Sequence, residues 1–362
     1  MFLAAKLYCR RILGRLRDTI KYHIPRWFLT RKVPVQTKRL IVFLTPGYEL
    51  TSGGVMAITA MYEETRAMPE LHQSEVVLCT VPGDPPFLKY GWFKNSNYIL
   101  DLESVIKRCG RLDYLQLHVP EYRVNRLLEW LAASKPLLEN VKEVHVNVLL
   151  FNIDLIQGQH VSELERFGKT TCTTAHEAYS NLATREALGV STHSLLICKG
   201  AEFYSPTAYQ EKEQLLVVSP DAHPFKERVL GQIAQALPHL RIQVIQGLAY
   251  EDYAALIRRA KWSLTFGEGL DGFFVETVFS GGVSFAVFNE RFFTPAFAEL
   301  ETVYPSWEVL LDRIADDIKR FDEPAAYSQR WREAYDLLSE HLDTNRFRER
   351  LRSFYRGDYT FP

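Results

Sequence analysis

The chain has 362 residues, 47% hydrophobic and 24% charged, a globular composition long enough for about two domains. Five cysteines (Cys9, Cys79, Cys109, Cys172, Cys198) form no C-x-x-C pair, which argues against a disulfide framework and a zinc site and fits a reducing, cytoplasmic setting. No stretch approaches ~20 consecutive apolar residues, and the N-terminus lacks the apolar core and cleavage site of a secretion signal.

The formal net charge of −1 hides an asymmetry. Eleven of the 43 Lys/Arg and one of the 44 acidic residues lie within positions 1–39, so the remainder is acidic, about −11. Within 1–38, Phe2, Leu3, Leu7, Ile12, Leu13, Leu16 and Ile20 recur near helical spacing with arginines between them, and Trp27 and Phe28 follow Pro25. This basic amphipathic segment is expected to contact an anionic membrane surface through residues 1–32. A basic helix packed on its own domain also fits. Nucleic acid is not expected as a partner, because the body is acidic and carries no recognition module.

From Arg39 onward, short apolar strands alternate with helical patterns. LIVFL (40–44), EVVLCT (75–80), YLQLHV (114–119) and EVHVNVL (143–149) read as strands, with helices near 54–67, 102–109 and 122–133. A second series runs LLVVS (215–219), RIQVI (241–245), KWSLTF (261–266) and VSFAV (283–287). The alternation predicts α/β architecture: two Rossmann-like domains with parallel sheets, facing each other across a cleft. The expected divisions are a basic segment 1–38, an acceptor-side domain 39–207, a nucleotide-sugar domain 208–324, and a helical segment 325–362 packing across both. No solenoid repeat or low-complexity tract is present.

Ligands of such sheets bind beyond the carboxyl ends of the strands, so those positions carry the chemistry. After the first strand, TPGYELTSGGVMAI places Gly53 and Gly54 where a turn opens a helix, suited either to close ligand approach or to a tight βα turn. His118 ends its strand, able to donate to a hydroxyl or phosphate or to sit as a structural histidine. Thr174 and His176 stand where a strand turns into a helix; Thr174 is equally a helix N-cap. His223 and Lys226 follow LLVVS, and a cation at a helix N-terminus is favourable once an anion joins it. Then comes TFGEGLDGFFVETVFSGG (265–282). Gly267 and Gly269 bracket Glu268, a helix opens near Asp271-Gly272, and Glu276 lies about one turn in. A carboxylate there can take two hydroxyls of a vicinal diol while free helix amides hold a diphosphate; a surface glutamate on a short helix fits as well.

Residues 247–282, GLAYEDYAALIRRAKWSLTFGEGLDGFFVETVFSGG, resemble the nucleotide-sugar half of retaining glycosyltransferases with two Rossmann-like domains (GT-B), the broad group of glycogen synthases and bacterial surface-polysaccharide enzymes. The signature is a Glu, seven residues and a Glu, here Glu268 and Glu276 with Ser280-Gly281-Gly282 behind. SGGVMAI, LDYLQLH, ICKGAEFYSP and VVSPDAHPFKE match other family segments in order, so the likeness spans roughly 40–320. One position departs: the Arg usual before the family Lys has no counterpart, and Ser219-Pro220-Asp221 stands there.

The resemblance implies transfer of a hexose or deoxyhexose from a nucleoside-diphosphate sugar to a saccharide or lipid-linked glycan, with retention, in bacterial O-antigen or capsule synthesis. Location would be cytoplasmic, peripheral at the inner face of the membrane. Glu268, Lys226 and His118 would be catalytic. Glu276, Gly53, Gly54, His223, Gly269, Leu270, Asp271 and Gly272 would bind the donor, and Thr174 and His176 the acceptor. No metal or cofactor is implied beyond the donor itself, because side chains and helix termini supply the positive charge. An epimerase or hydrolase of the same fold, and a non-catalytic glycan-binding subunit, remain open at this stage.

Overall fold

The computed structural model describes residues 18–49, 52–156, 158–196 and 200–362. Most of the basic head (1–17), part of the first glycine loop (50–51) and part of the expected interdomain segment (197–199) lie outside these residues. The chain forms two compact units. The first contains residues 1–175, 182–195 and 350–362; the second contains 176–181 and 196–349. The changeover thus comes at 195–196, ahead of the expected 207, because Leu195 continues the last strand of the first sheet by donating its N–H to the Thr174 carbonyl. The expected C-terminal segment is two helices, Pro324–His341 and Thr344–Arg356, and the chain rejoins the first unit at Arg350.

The first unit holds a seven-stranded sheet, order β3-β2-β1-β4-β5-β6-β7. Its strands are β1 (Arg39–Thr45), β2 (Glu75–Thr80), β3 (Ile99–Leu100), β4 (Tyr114–Pro120), β5 (Val144–Leu150), β6 (Lys169–Thr174) and β7 (Ser191–Ser194). Every ladder is parallel. All seven residues of β5 are buried, as expected for a strand covered on both faces. β6, KTTCTT, is buried despite its threonines because their hydroxyls pair. Thr171 donates to Asn147 Oδ1 at 2.8 Å, and Asn147 Nδ2 donates to the Thr173 hydroxyl at 3.0 Å. At the far edge, Thr192 and Phe361 exchange backbone hydrogen bonds, so the last residues of the chain cover β7.

The second unit holds a five-stranded sheet, order β12-β11-β10-β8-β9. The strands are β8 (Glu213–Val218), β9 (Arg241–Val244), β10 (Ala260–Leu264), β11 (Val283–Val287) and β12 (Val303–Tyr304), again all parallel. Alternate residues of β8 serve opposite faces. Leu216 and Val218 join Trp262, Phe285 and Phe321 in one core, while Leu215 and Val217 join Ile257 in the other. Both units therefore have the Rossmann-like parallel-sheet architecture expected. Among the described residues no helix is long and apolar enough to cross a membrane.

Candidate functional site

In the second sheet the strand order reverses between β8 and β10, which makes the carboxyl ends of these two strands the natural ligand position. They are stitched together. Ser219 donates its N–H to the Leu264 carbonyl at 3.1 Å, and the Ser219 hydroxyl accepts from Phe266 N at 2.9 Å. Lys226, at the start of helix Lys226–Ala236, folds back over this junction. Its ammonium donates to the carbonyls of Ser219 (2.7 Å) and Asp221 (2.8 Å). Burial lowers its pKa from the ordinary lysine value. An ammonium carries three N–H donors, so these two contacts hold the charge beside the strand ends without using its whole capacity.

His223 sits in an aromatic stack. Its ring centre is 3.9 Å from that of Trp307, which in turn lies parallel to Phe266 at 5.0 Å. His223 Nδ1 accepts from Phe225 N at 3.3 Å, and burial lowers its pKa.

Beyond β10 the glycine turn has steric reasons. A Cβ on Gly267 would lie 2.9 Å from Asp221 Oδ2. Gly269 has φ +92°, and a Cβ there would lie 2.4 Å from the Phe293 ring. Asp271 then caps helix Gly272–Phe279. Its Oδ1 accepts from Phe274 N at 3.1 Å and its Oδ2 accepts from the Thr265 hydroxyl. Burial raises Asp271 to about 6, an effect opposed by these hydrogen bonds and reinforced by Asp221. Its carboxylate is thus committed to the cap, and the Leu270 side chain is buried, so either would meet a ligand only through backbone. Gly272 is exposed at the first helical position.

Glu276 stands half-buried on the same helix, one turn from Gly272; a Cβ on that glycine would be 3.8 Å from Glu276 Oε1. Its other oxygen, Oε2, accepts from the Tyr250 hydroxyl at 3.1 Å. Glu268 is half-buried on the glycine turn. The second unit therefore brings Lys226, His223, Glu268, Gly269, Gly272 and Glu276 to one pair of strand ends. Tyr250, Trp307, Ser219 and Asp221 belong to this set and were not foreseen. The Y-x-x-Y spacing of Tyr250 and Tyr253 is the one signal for a helix face turned toward Glu276.

The first unit corrects two expectations. His118 lies inside β4, which runs on to Pro120, rather than at its end. It has 0% exposure, stacks on Phe43 at 4.3 Å, and has both ring nitrogens engaged, with Asn147 at 3.0 Å and with the Tyr355 hydroxyl at 3.3 Å. Burial holds it neutral, well below the ordinary histidine value. It is a core residue. Thr174 is likewise fully buried as the last residue of β6, with no helix starting until Leu182, so it caps nothing and is closed to an acceptor. His176 belongs to the second unit, where its ring packs on Phe292 and Tyr179 and burial brings it to about 4.

Gly53 and Gly54 do open a helix, Gly53–Arg66, capped by the Ser52 hydroxyl, which accepts from Val55 N at 3.2 Å. In this sheet the order reverses between β1 and β4. The loops there carry Tyr48 and Arg123, neither foreseen. Arg123 Nη2 donates to the Tyr48 hydroxyl at 2.8 Å and lies 3.6 Å from Asp84, whose carboxylate accepts from Gly47 N at 3.1 Å.

No protein-family model matches the chain, and no curated protein matches it in sequence. Solved structures do match. An α-glucosyltransferase in complex with UDP and a mismatched DNA has a TM-score of 0.58 at 12% identity. Sucrose-phosphate synthase from Thermosynechococcus elongatus gives 0.57 at 9%, and Anabaena HepE in complex with UDP-glucose gives 0.54 at 11%. Each comparison covers 88% of this chain and 99% of the other. Likeness at this identity establishes the fold alone, two Rossmann-like parallel-sheet units.

Proposed function

We propose that the chain is a glycosyltransferase that moves a hexose or deoxyhexose from a nucleoside-diphosphate sugar to a saccharide or lipid-linked glycan. The observation that carries this reading is the set at the β8–β10 reversal: one ammonium, two carboxylates and an exposed helix N-terminus, all on the loops and first helix turns that follow the same two strands. UDP or UDP-glucose in two of the similar structures favours a uridine nucleotide.

In this reading Glu276 takes the ribose diol, with Tyr250 fixing one of its oxygens. The backbone amides of 270–272, which lead into helix Gly272–Phe279, and Lys226 take the diphosphate. Glu268 borders the donor sugar, and His223 flanks the phosphate side. As the sugar–phosphate bond breaks, charge grows on the leaving oxygen, and Lys226 with the helix terminus offsets it without a metal ion. The departing phosphate takes the acceptor proton, and the acceptor adds on the same face, giving retention. Tyr48 and Arg123, at the reversal of the first sheet, take the acceptor-side role expected of the buried Thr174. The products would be bacterial surface glycans, and a lipid-linked acceptor places the work at the inner face of the cytoplasmic membrane.

The test is turnover with a panel of nucleotide sugars and a glycan extract. Glu276→Ala and Lys226→Ala are expected to lose activity while remaining folded; full activity in both would sink the assignment. One observation favours a second reading. Ser219-Pro220-Asp221 stands where the resembled glycosyltransferases carry an Arg, which suits a non-catalytic glycan-binding subunit. Calorimetry that shows no nucleotide binding would support that reading.

A further inference from the structure

Eleven large hydrophobic side chains are exposed among the described residues, and five of them, Ile20, Ile24, Trp27, Phe28 and Val35, fall between positions 20 and 35. The first four follow one helical stripe through the turn Thr19–His23 and the helix Ile24–Thr30, with exposures of 62%, 46%, 53% and 58%. Arg31 continues the stripe, its guanidinium 4.4 Å from the Trp27 ring.

The opposite side of this segment is fastened to the first unit by polar contacts. Arg26 is buried and donates to the Thr80 hydroxyl at 2.8 Å and to the Leu100 carbonyl. Arg108, on helix Leu102–Cys109, donates to the carbonyls of Arg31 and Val33, both at 2.7 Å. A chain that only needed to cover its own core would turn Trp27 and Phe28 inward and Arg26 outward. Here the arginine is inside and the aromatics are outside. The exposed neighbours of the stripe are Lys21, His23, Arg31, Lys32 and Lys38, and the one acid in the described part of the segment is Asp18. Ahead of it the sequence adds Lys6, Arg10, Arg11, Arg15 and Arg17 and no acid.

We infer that this face is a membrane-docking surface, seated in the headgroup region of an anionic bilayer. Trp and Phe enter the interface and the surrounding cations meet lipid phosphates. A protein partner of matching apolarity would not call for this run of basic residues along the segment, set against Asp18 within it and Asp101 beside Arg26. The surface is separate from the strand ends that carry the proposed transfer site, so it stands whether or not that reading holds.

The experiment is flotation of the full chain with vesicles of phosphatidylcholine alone and with 30% phosphatidylglycerol (about that fraction mimics an anionic leaflet), for wild type and for the double variant Trp27→Ser/Phe28→Ser. Wild type is expected to float with the anionic vesicles only, and to be released by salt. The double variant is expected to bind about tenfold or more weaker, with its melting temperature unchanged. Absence of wild-type flotation on anionic vesicles would overturn the inference. So would equal binding by the double variant, which would assign the contact to residues 1–17. A wild-type dimer that the double variant converts to monomer, with flotation unaffected, would make the face an interface between copies and overturn it as well.

Discussion

At the strand reversal of the second sheet, Lys226, Glu268 and Glu276 stand half-buried around a helix N-terminus, whereas the histidine expected to work at the matching edge of the first sheet, His118, has no exposed surface at all. Lys226 and His118 each come after an apolar run of similar pattern. The difference is one of strand length. β8 stops at Val218, so Ser219 to Lys226 form a loop and helix start over the strand end. β4 continues two residues past His118, through Val119 and Pro120, and the histidine becomes part of the sheet interior. A polar residue near a strand end is therefore no guide by itself; what matters is whether the backbone has left the ladder before it.

This contrast can be broken by substitution, and the largest effect is expected at Lys226. Lys226→Met should lower kcat by about 10²- to 10³-fold, because it removes a fixed positive charge from where the leaving group develops its own. Its melting temperature should fall little, since the two lost contacts are to loop carbonyls. His118→Ala should do the reverse. It opens a cavity beside Phe43 and leaves Asn147 and Tyr355 short of a partner, a loss of about 2–4 kcal/mol in denaturant unfolding. The activity of the protein that remains folded should match wild type. A loss of kcat with unchanged stability in His118→Ala would restore it to the site.

Acid should separate the units next. In the first unit burial holds His145 at about 3, His118 well below its ordinary value, and His72 and His193 lower than usual. Between those folded-state values and about 6.5 the unfolded chain binds protons that the folded chain does not, so stability falls as pH drops below about 6.5. In the second unit His176, at about 4, and His223, also lowered by burial, add to the same trend, while Asp271 opposes it. The Asp271 value near 6 means the folded state holds its proton longer than the unfolded one, which favours folding on the acid side of that range. Unfolding followed separately by hydrogen exchange from pH 7 to 5 should show the first unit loosening more than the second. Equal loosening would contradict the account of the histidine layer.

The architecture was legible because it rests on periodicity. LIVFL, EVVLCT, LLVVS and VSFAV are runs that only a sheet covered on both faces can bury. The short edge strands β3 and β12, two residues each, carry no such signal. β6 shows in the sequence only through the turn after Thr174, because its threonines are satisfied by side chains from neighbouring strands that the linear sequence does not place beside it. The same holds for the site. The glycines of 267–272 and the Glu276 position follow from local turn and helix rules, but Tyr250, Trp307 and the Arg123–Tyr48 pair come together only through strand order. Asp271, expected on the donor, uses its carboxylate as the helix cap.

The smallest expected effect would sharpen the second-unit picture. Tyr250→Phe removes one hydrogen bond to Glu276 and should raise the donor KM by about three- to tenfold, with kcat nearly unchanged. A fall in kcat with unaltered KM would mean that Tyr250 acts elsewhere.

The central claim is that the β8–β10 reversal of the second unit holds a nucleoside diphosphate. Titration calorimetry of the full chain with UDP tests it without knowledge of the sugar or the acceptor. Saturable binding by wild type, weakened about tenfold or more in Glu276→Ala, is the predicted result. Absence of binding by any nucleoside diphosphate, or equal affinity in the variant, would contradict it.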